Sequence, residues 1–371
     1  MRTFARGAEQ ELRKEVFTVE FVDGQRNFSK KIKGSSMTAR NTVFSFLGVA
    51  LVVVFLLGLS VGSVNIPLSV VLKGITKGFP FFRSFTGGEV KEGYLVILFN
   101  LRLPRVLLCV LVGAGLACAG CCMQGLFRNP MASPYVIGIS SGASFGAALA
   151  LLILPGIFSL PFAAFVSGVG TAFLVYRISQ VKGKIPIERL LLSGIAVGFF
   201  FSAVTSFLMY IAAQDMHRLF FWIMGGFWAS SWIRLFVAIP FIGFGIPGIF
   251  FFSRDLNIMQ LGEESAITLG VEVELVKGVL LVLSSLIVAA CVSVSGVIGF
   301  VGLIIPHLTR LFVGPDHRVL IPASSLVGGI FLAGCDILAR TVVSPAELPV
   351  GIITSCFGAP FFIYLLTRRR W

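Results

Sequence analysis

Cys118 and Cys121 stand at the C-x-x-C spacing of redox and metal-binding thiols. No second pair follows them, and they lie in LVGAGLACAGCC, whose small residues suit close packing between helices. All seven cysteines (109, 118, 121, 122, 291, 335 and 356) fall in apolar blocks. His307, in a Pro-His pair, is the other metal-ligand candidate. A metal site needs several converging ligands, and His217 and His317 do not adjoin it in the chain. Asp336 is the one acidic residue in the interior of an apolar block. Four residues before Arg340, it can pair with that arginine on one helix face. Gly138-Ile139-Ser140-Ser141-Gly142 superficially resembles an ATPase signature, yet it is embedded in an apolar run and no G-x-x-x-x-G-K-S/T phosphate loop exists. Gly138, Gly142 and Gly146 recur every four residues, which makes a small-residue face for helix packing. No H-E-x-x-H motif, paired aspartates or spaced Ser/His pair supports an intramembrane hydrolase.

The elements that hold these residues follow from composition. The chain has 371 residues, 56% hydrophobic and 13% charged, with a mean hydropathy of +0.95. An ordinary globular chain is about 25% charged. The apolar residues come in continuous blocks of about 20, the length of a bilayer-crossing helix. Continuous rather than alternating patterning excludes a membrane barrel. Ten spans are predicted, near 42–63, 103–125, 133–154, 157–177, 189–212, 234–252, 277–296, 299–313, 319–339 and 347–367. The eighth is short enough to be re-entrant. The aromatic stretch 218–232 reads as a short interfacial helix, where Trp is favoured. The fold class is therefore all-α, a polytopic helix bundle. It comprises a polar tail over 1–41 and a transmembrane domain over 42–371.

The net charge of +13 does not point to nucleic acid, because the basic residues sit between the apolar blocks and form no long aromatic-interleaved run. They act instead as topology signals. With both termini in the cytoplasm, 21 of the 30 Lys and Arg fall on the inner side and 9 on the outer. No cleavable signal peptide is visible in the first 41 residues. Proton- and sodium-driven carriers need ionisable groups at membrane depth. With Asp336 alone in that position, energy for any transport must come from outside the chain.

Three blocks carry a resemblance. Residues 101–142 contain Arg102, Pro104 and Arg105, then Gly113, Leu116, Gly120 and Gln124, then Asn129, Pro130 and Ala132, then Gly138, Gly142 and Ala143. Residues 296–318 read GVIGFVGLIIPHLTRLFVGPDHR, and 347–366 read ELPVGIITSCFGAPFFIYLL. In these blocks the chain closely resembles the FecCD-type permeases of ABC importers for iron–siderophore complexes, haem and cobalamin. Met131 stands where that family usually has Leu. The resemblance covers about 40–371.

The resemblance implies a type II ABC importer permease in the cytoplasmic (inner) membrane. It implies a transport subunit rather than an enzyme, with no cofactor of its own. ATP and Mg would be bound by a partner ATPase dimer. A second permease, identical or paralogous, would complete the pathway, and an extracytoplasmic binding protein would deliver the cargo. Membrane lipid would surround the bundle. The cargo would be a metal chelate, most commonly iron–siderophore, with cobalamin, haem or an oxyanion as alternatives. Within the loop 253–277, Leu261, Gly262, Glu263, Glu264, Ala266, Leu269 and Gly270 would form the coupling helix on the ATPase, with Ala266 allowing close approach to the partner. Arg102, Arg105 and Arg340 would meet carboxylates of the binding protein. Pro186, Ile187 and Glu188 would line the inner gate, though they lack the small hydroxyl residues usual there.

Overall fold

The computed structural model describes residues 37–62, 64–78, 91–153, 159–211 and 216–368. The tail over 1–36 lies outside the described residues. Among them, seven helices are long and apolar enough to cross a bilayer, and three shorter apolar helices accompany them. Together these account for the ten predicted spans.

The helices, in chain order, are α1 (Met37–Ser60), α2 (Leu68–Gly78), α3 (Glu92–Leu126), α4 (Ile139–Ile153), α5 (Ser159–Ser179), α6 (Ile187–Ile211) and α7 (Met216–Met224). They continue as α8 (Trp232–Phe251), α9 (Ser253–Met259), α10 (Glu263–Thr268), α11 (Val273–Ser295), α12 (Val301–Val313), α13 (His317–Thr341) and α14 (Val350–Arg368). The second span starts earlier than its hydropathy suggests, because a π-helical stretch, Ile97–Arg102, continues into the helix through Pro104. Proline fits in a first turn, where its missing N–H costs nothing. Helix α1 begins at Met37, inside the segment assigned to the tail.

Helix α3 is the centre of the bundle. It is buried along most of its length and packs on α13, α12, α11, α8 and α1. Small residues make this possible. A side chain at Gly113 would run into the Gly328 carbonyl of α13, and one at Gly120 into the Gly302 carbonyl of α12. Dispersion and close backbone approach drive such packing in lipid. Helices α4, α5 and α6 form a second group, in which Gly142 and Gly146 meet Thr171, Ser167 and Ala163 of α5. Gly138 does not belong to that helix face. It precedes α4 with φ +76°, a left-handed turn that glycine adopts without steric cost, and lies against the Gly194 carbonyl of α6.

Two non-helical stretches enter the bundle, over 127–138 and 296–300. Irregular backbone is tolerated at membrane depth only where protein buries it. Here the Tyr135 hydroxyl donates to the Ile298 carbonyl at 2.8 Å, and Pro134 lies against Gly302. They leave room for the half-length helix α12. The aromatic stretch at 218–232 forms a helix only as far as Met224. Trp222 is buried rather than spread on an interface, with its carbonyl packed against Gly296, and Gly225 turns the chain at φ +71°.

Candidate functional site

The loop between α8 and α11 is built as a rigid platform. The Asn257 side chain of α9 accepts from the His317 backbone N–H at 2.9 Å and donates to Asp316 at 2.7 Å. Gln260 donates to the Gly125 carbonyl at the end of α3 at 2.7 Å. Gly262, at φ +112°, turns the chain into α10, whose first turn carries Glu263 and Glu264 beside the positive end of the helix dipole. Gly270, at φ +85°, closes it, and the Val271 N–H returns to the Ala266 carbonyl at 3.0 Å.

The phase of this short helix corrects one expectation. Ala266 is fully buried and faces the chain's own interior, so it offers nothing to a partner. Ile267 on the helix and Leu261 and Leu269 flanking it point outward, exposed by 63%, 66% and 60%, together with exposed Glu264, Ser265 and Thr268. Ile267 was not among the residues that sequence reasoning singled out. Nor was Lys277, buried on α11, whose ammonium sits 2.8 Å from Glu263 and 3.0 Å from Glu274.

The three arginines gather at the opposite end of α3, about 35 Å away at 1.5 Å per residue. Arg102 donates from Nη1 to the carbonyls of Leu59 and Ser60, each at 2.7 Å, and from Nη2 to Val64. Arg105 grips Asp336 at 2.9 Å with one edge and Glu347 at 2.9 Å with the other. Arg340 pairs with Asp336 at 3.0 Å and donates to the Gly58 and Val61 carbonyls. Sequence spacing anticipates the Asp336–Arg340 pair. Arginines that meet a partner's carboxylates need free donors, and here Arg102 and Arg340 are 5% and 4% exposed. In this conformation the donors are engaged within the chain, tying α1, α3 and α13 together.

An open groove of about 710 Å³ lies between the end of α7, the 297–299 stretch and α14. Met224, Val297, Gly299, Ser355, Cys356 and Pro360 line it, an apolar wall with a hydroxyl and a thiol. The segment assigned to an inner gate is elsewhere, at the start of α6. Pro186 and Glu188 are exposed there and Ile187 half-buried, while the Ile185 N–H is held by Glu274 at 2.8 Å.

The model of the FecCD transport family matches residues 50–368. The chain belongs to the FecCD transport family. Over 282 residues this FecCD chain is 46% identical to the cobalamin import system permease protein BtuC of Halobacterium salinarum, covering 76% of each chain. It is 42% identical over 303 residues to the hemin transport system permease protein HmuU of Yersinia pestis, covering 78% of this chain and 88% of that one. Its fold matches a candidate metal-chelate type ABC transporter in an inward-facing conformation, with TM-score 0.78 and 33% identity over 89% of this chain and 99% of that chain. With its apolar helices, this FecCD chain is a multi-pass membrane permease of the ABC importer type. Its His307 is buried in α12, and among the described residues no three His, Cys, Asp or Glu gather into a metal-binding group. Six of its cysteines are buried, and Cys356 is exposed.

Proposed function

We propose that this chain forms half of a transport pathway in a binding-protein-dependent ABC importer. In this reading it carries a metal chelate inward across the cytoplasmic membrane, driven by ATP that a separate Mg-dependent ATPase dimer hydrolyses. The observation that carries the reading is the outward face of α10. Ile267 on this six-residue helix, far too short to cross the bilayer, and Leu261 and Leu269 flanking it are exposed apolar side chains at the end of the bundle where α3 finishes. An exposed apolar patch of this kind marks a protein–protein contact. Its platform, braced by Asn257 and Gln260 on one side and Lys277 on the other, suits a surface that must take a push without deforming.

The bias of Lys and Arg supports an orientation with this end and both termini in the cytoplasm. The arginine-bearing end then faces outward and receives the binding protein. A second permease covers the apolar faces of α6, where Phe199 and Tyr210 are 74% and 84% exposed, and of α14, where Phe357 and Ile363 are 54% and 62% exposed. The groove at Met224 and Cys356 becomes part of the pathway wall between the two permeases. Its lining suits a bulky cargo that must pass without sticking.

An iron–siderophore complex is the cargo this reading favours. Cobalamin or haem is the second reading, favoured by the names of the two relatives above. The test is uptake by proteoliposomes containing the permease, its ATPase and its binding protein, with ferric siderophores, cobalamin, haem and molybdate offered separately. ATP-dependent accumulation of one chelate supports the proposal. Accumulation of molybdate alone removes the chelate assignment, and accumulation of none removes the import reading.

A further inference from the structure

Helix α10 is held very differently on its two sides. Through α9 it is fastened to the central helices, by Asn257 to the start of α13 and by Gln260 to the end of α3. On the other side it runs through a short turn into α11, and one charged side chain bridges the two helices. Lys277, 4% exposed, places its Nζ 2.8 Å from Glu263 at the first position of α10 and 3.0 Å from Glu274 on its own helix. The second oxygen of Glu274 accepts the Ile185 backbone N–H at 2.8 Å. Ile185 is buried and stands two residues before α6, with Pro186 between. Three contacts of about 3 Å therefore lead from α10 through α11 to the base of α6. A buried ammonium held between two carboxylates makes short, charge-assisted contacts that are costly to break.

Helix α6 is the element able to respond. It is 25 residues long, yet among the described residues it packs mainly on α4, α5, α7 and the 136–138 stretch, and much of its surface is exposed within this chain. The core helices α3, α11 and α13 are packed on several sides by neighbouring helices. We propose that Lys277 is a positioning residue that converts movement of α10 into movement of the base of α6. It would thereby link nucleotide-driven motion to opening of the pathway. This rests on the reading that α10 docks on the ATPase.

The experiment compares wild type, Lys277→Met, Lys277→Arg and Glu274→Ala in the reconstituted complex of permease, ATPase and binding protein. It measures co-purification with the ATPase, ATP hydrolysis and cargo imported per ATP. Lys277→Met is expected to keep the ATPase bound and hydrolysing while cargo per ATP falls about tenfold. Lys277→Arg, which keeps the positive charge and offers a donor to each of the two carboxylates, restores the ratio to within about twofold. Glu274→Ala frees Ile185 while leaving the Lys277–Glu263 pair, and it reproduces the loss even if Lys277→Met does not assemble. Wild-type cargo per ATP in both Lys277→Met and Glu274→Ala would overturn the proposal, as would wild-type cargo per ATP in an assembled Lys277→Met alone. Ile267→Asp is the separate control on docking. If it still binds the ATPase at wild-type affinity, the docking reading fails, whatever the Lys277 variants do.

Discussion

Asp336 holds two guanidiniums at once, Arg105 at 2.9 Å and Arg340 at 3.0 Å, and is itself 1% exposed. Its carboxylate is thus the closing charge of a buried network joining α3 and α13. Glu347 balances the outer edge of Arg105.

Removing that charge leaves buried Arg340 without its carboxylate and Arg105 with Glu347 alone. Asp336→Asn is expected to destabilise the permease by about 3–5 kcal/mol, the cost of breaking a buried pair from one side. The check is a lower melting temperature in detergent and a lower yield of membrane-inserted protein. If Asp336→Asn instead folds normally and abolishes uptake that survives inactivation of the ATPase, the residue is a proton carrier and the transport class changes.

Ala266 and Ile267 adjoin in sequence and point opposite ways, so their variants should fail differently. Ala266→Arg forces a long charged side chain into a fully buried site and should reduce folded protein. Ile267→Asp, at a 63% exposed site, should leave melting unchanged and weaken ATPase binding about tenfold or more. Thermal unfolding together with pull-down by the ATPase separates the two outcomes.

Gly113 and Gly120 set how closely α3 approaches α13 and α12. Even a methyl group at Gly120 would meet the Gly302 carbonyl, which is backbone and cannot rotate away. Gly120→Ala is expected to cost at least about 1–3 kcal/mol through overpacking. A position such as Gly170, with open space around it, should accept alanine without loss. Paired melting curves in one detergent make the comparison.

Cys356 lines the groove and is exposed, while the other six cysteines are buried. A bulky thiol reagent should therefore modify the native chain at Cys356 and block uptake. Cys356→Ser should transport normally and resist the reagent. Labelling at Cys356 with full uptake would remove the groove from the pathway.

The spans were legible because each is a continuous apolar block, and a block reports burial without regard to helix phase. What could not be read was anything set by phase or by distant partners. Ala266 and Ile267 differ only by rotation on a six-residue helix, too short to show a periodicity. Arg105 meets Asp336 across 231 residues and Glu347 across 242, so nothing local reveals that its charge is already balanced. Asp336 and Arg340 were legible as a pair because four residues of helix place them together. Gly138 fits the spacing of Gly142 and Gly146, yet the helix starts one residue after it, a boundary set by packing against Gly194 rather than by glycine spacing. Lys277 reads as a loop charge, and its importance arises only when Glu263, Glu274 and Ile185 are brought around it.

The account depends on the permease having no power source of its own. The direct measurement is accumulation of radiolabelled cargo in sealed proteoliposomes containing this chain, with and without its ATPase and ATP, under an imposed proton gradient. Accumulation only when ATPase and ATP are both present is the predicted result. Concentrative uptake by the chain alone, driven by the gradient, would contradict the account.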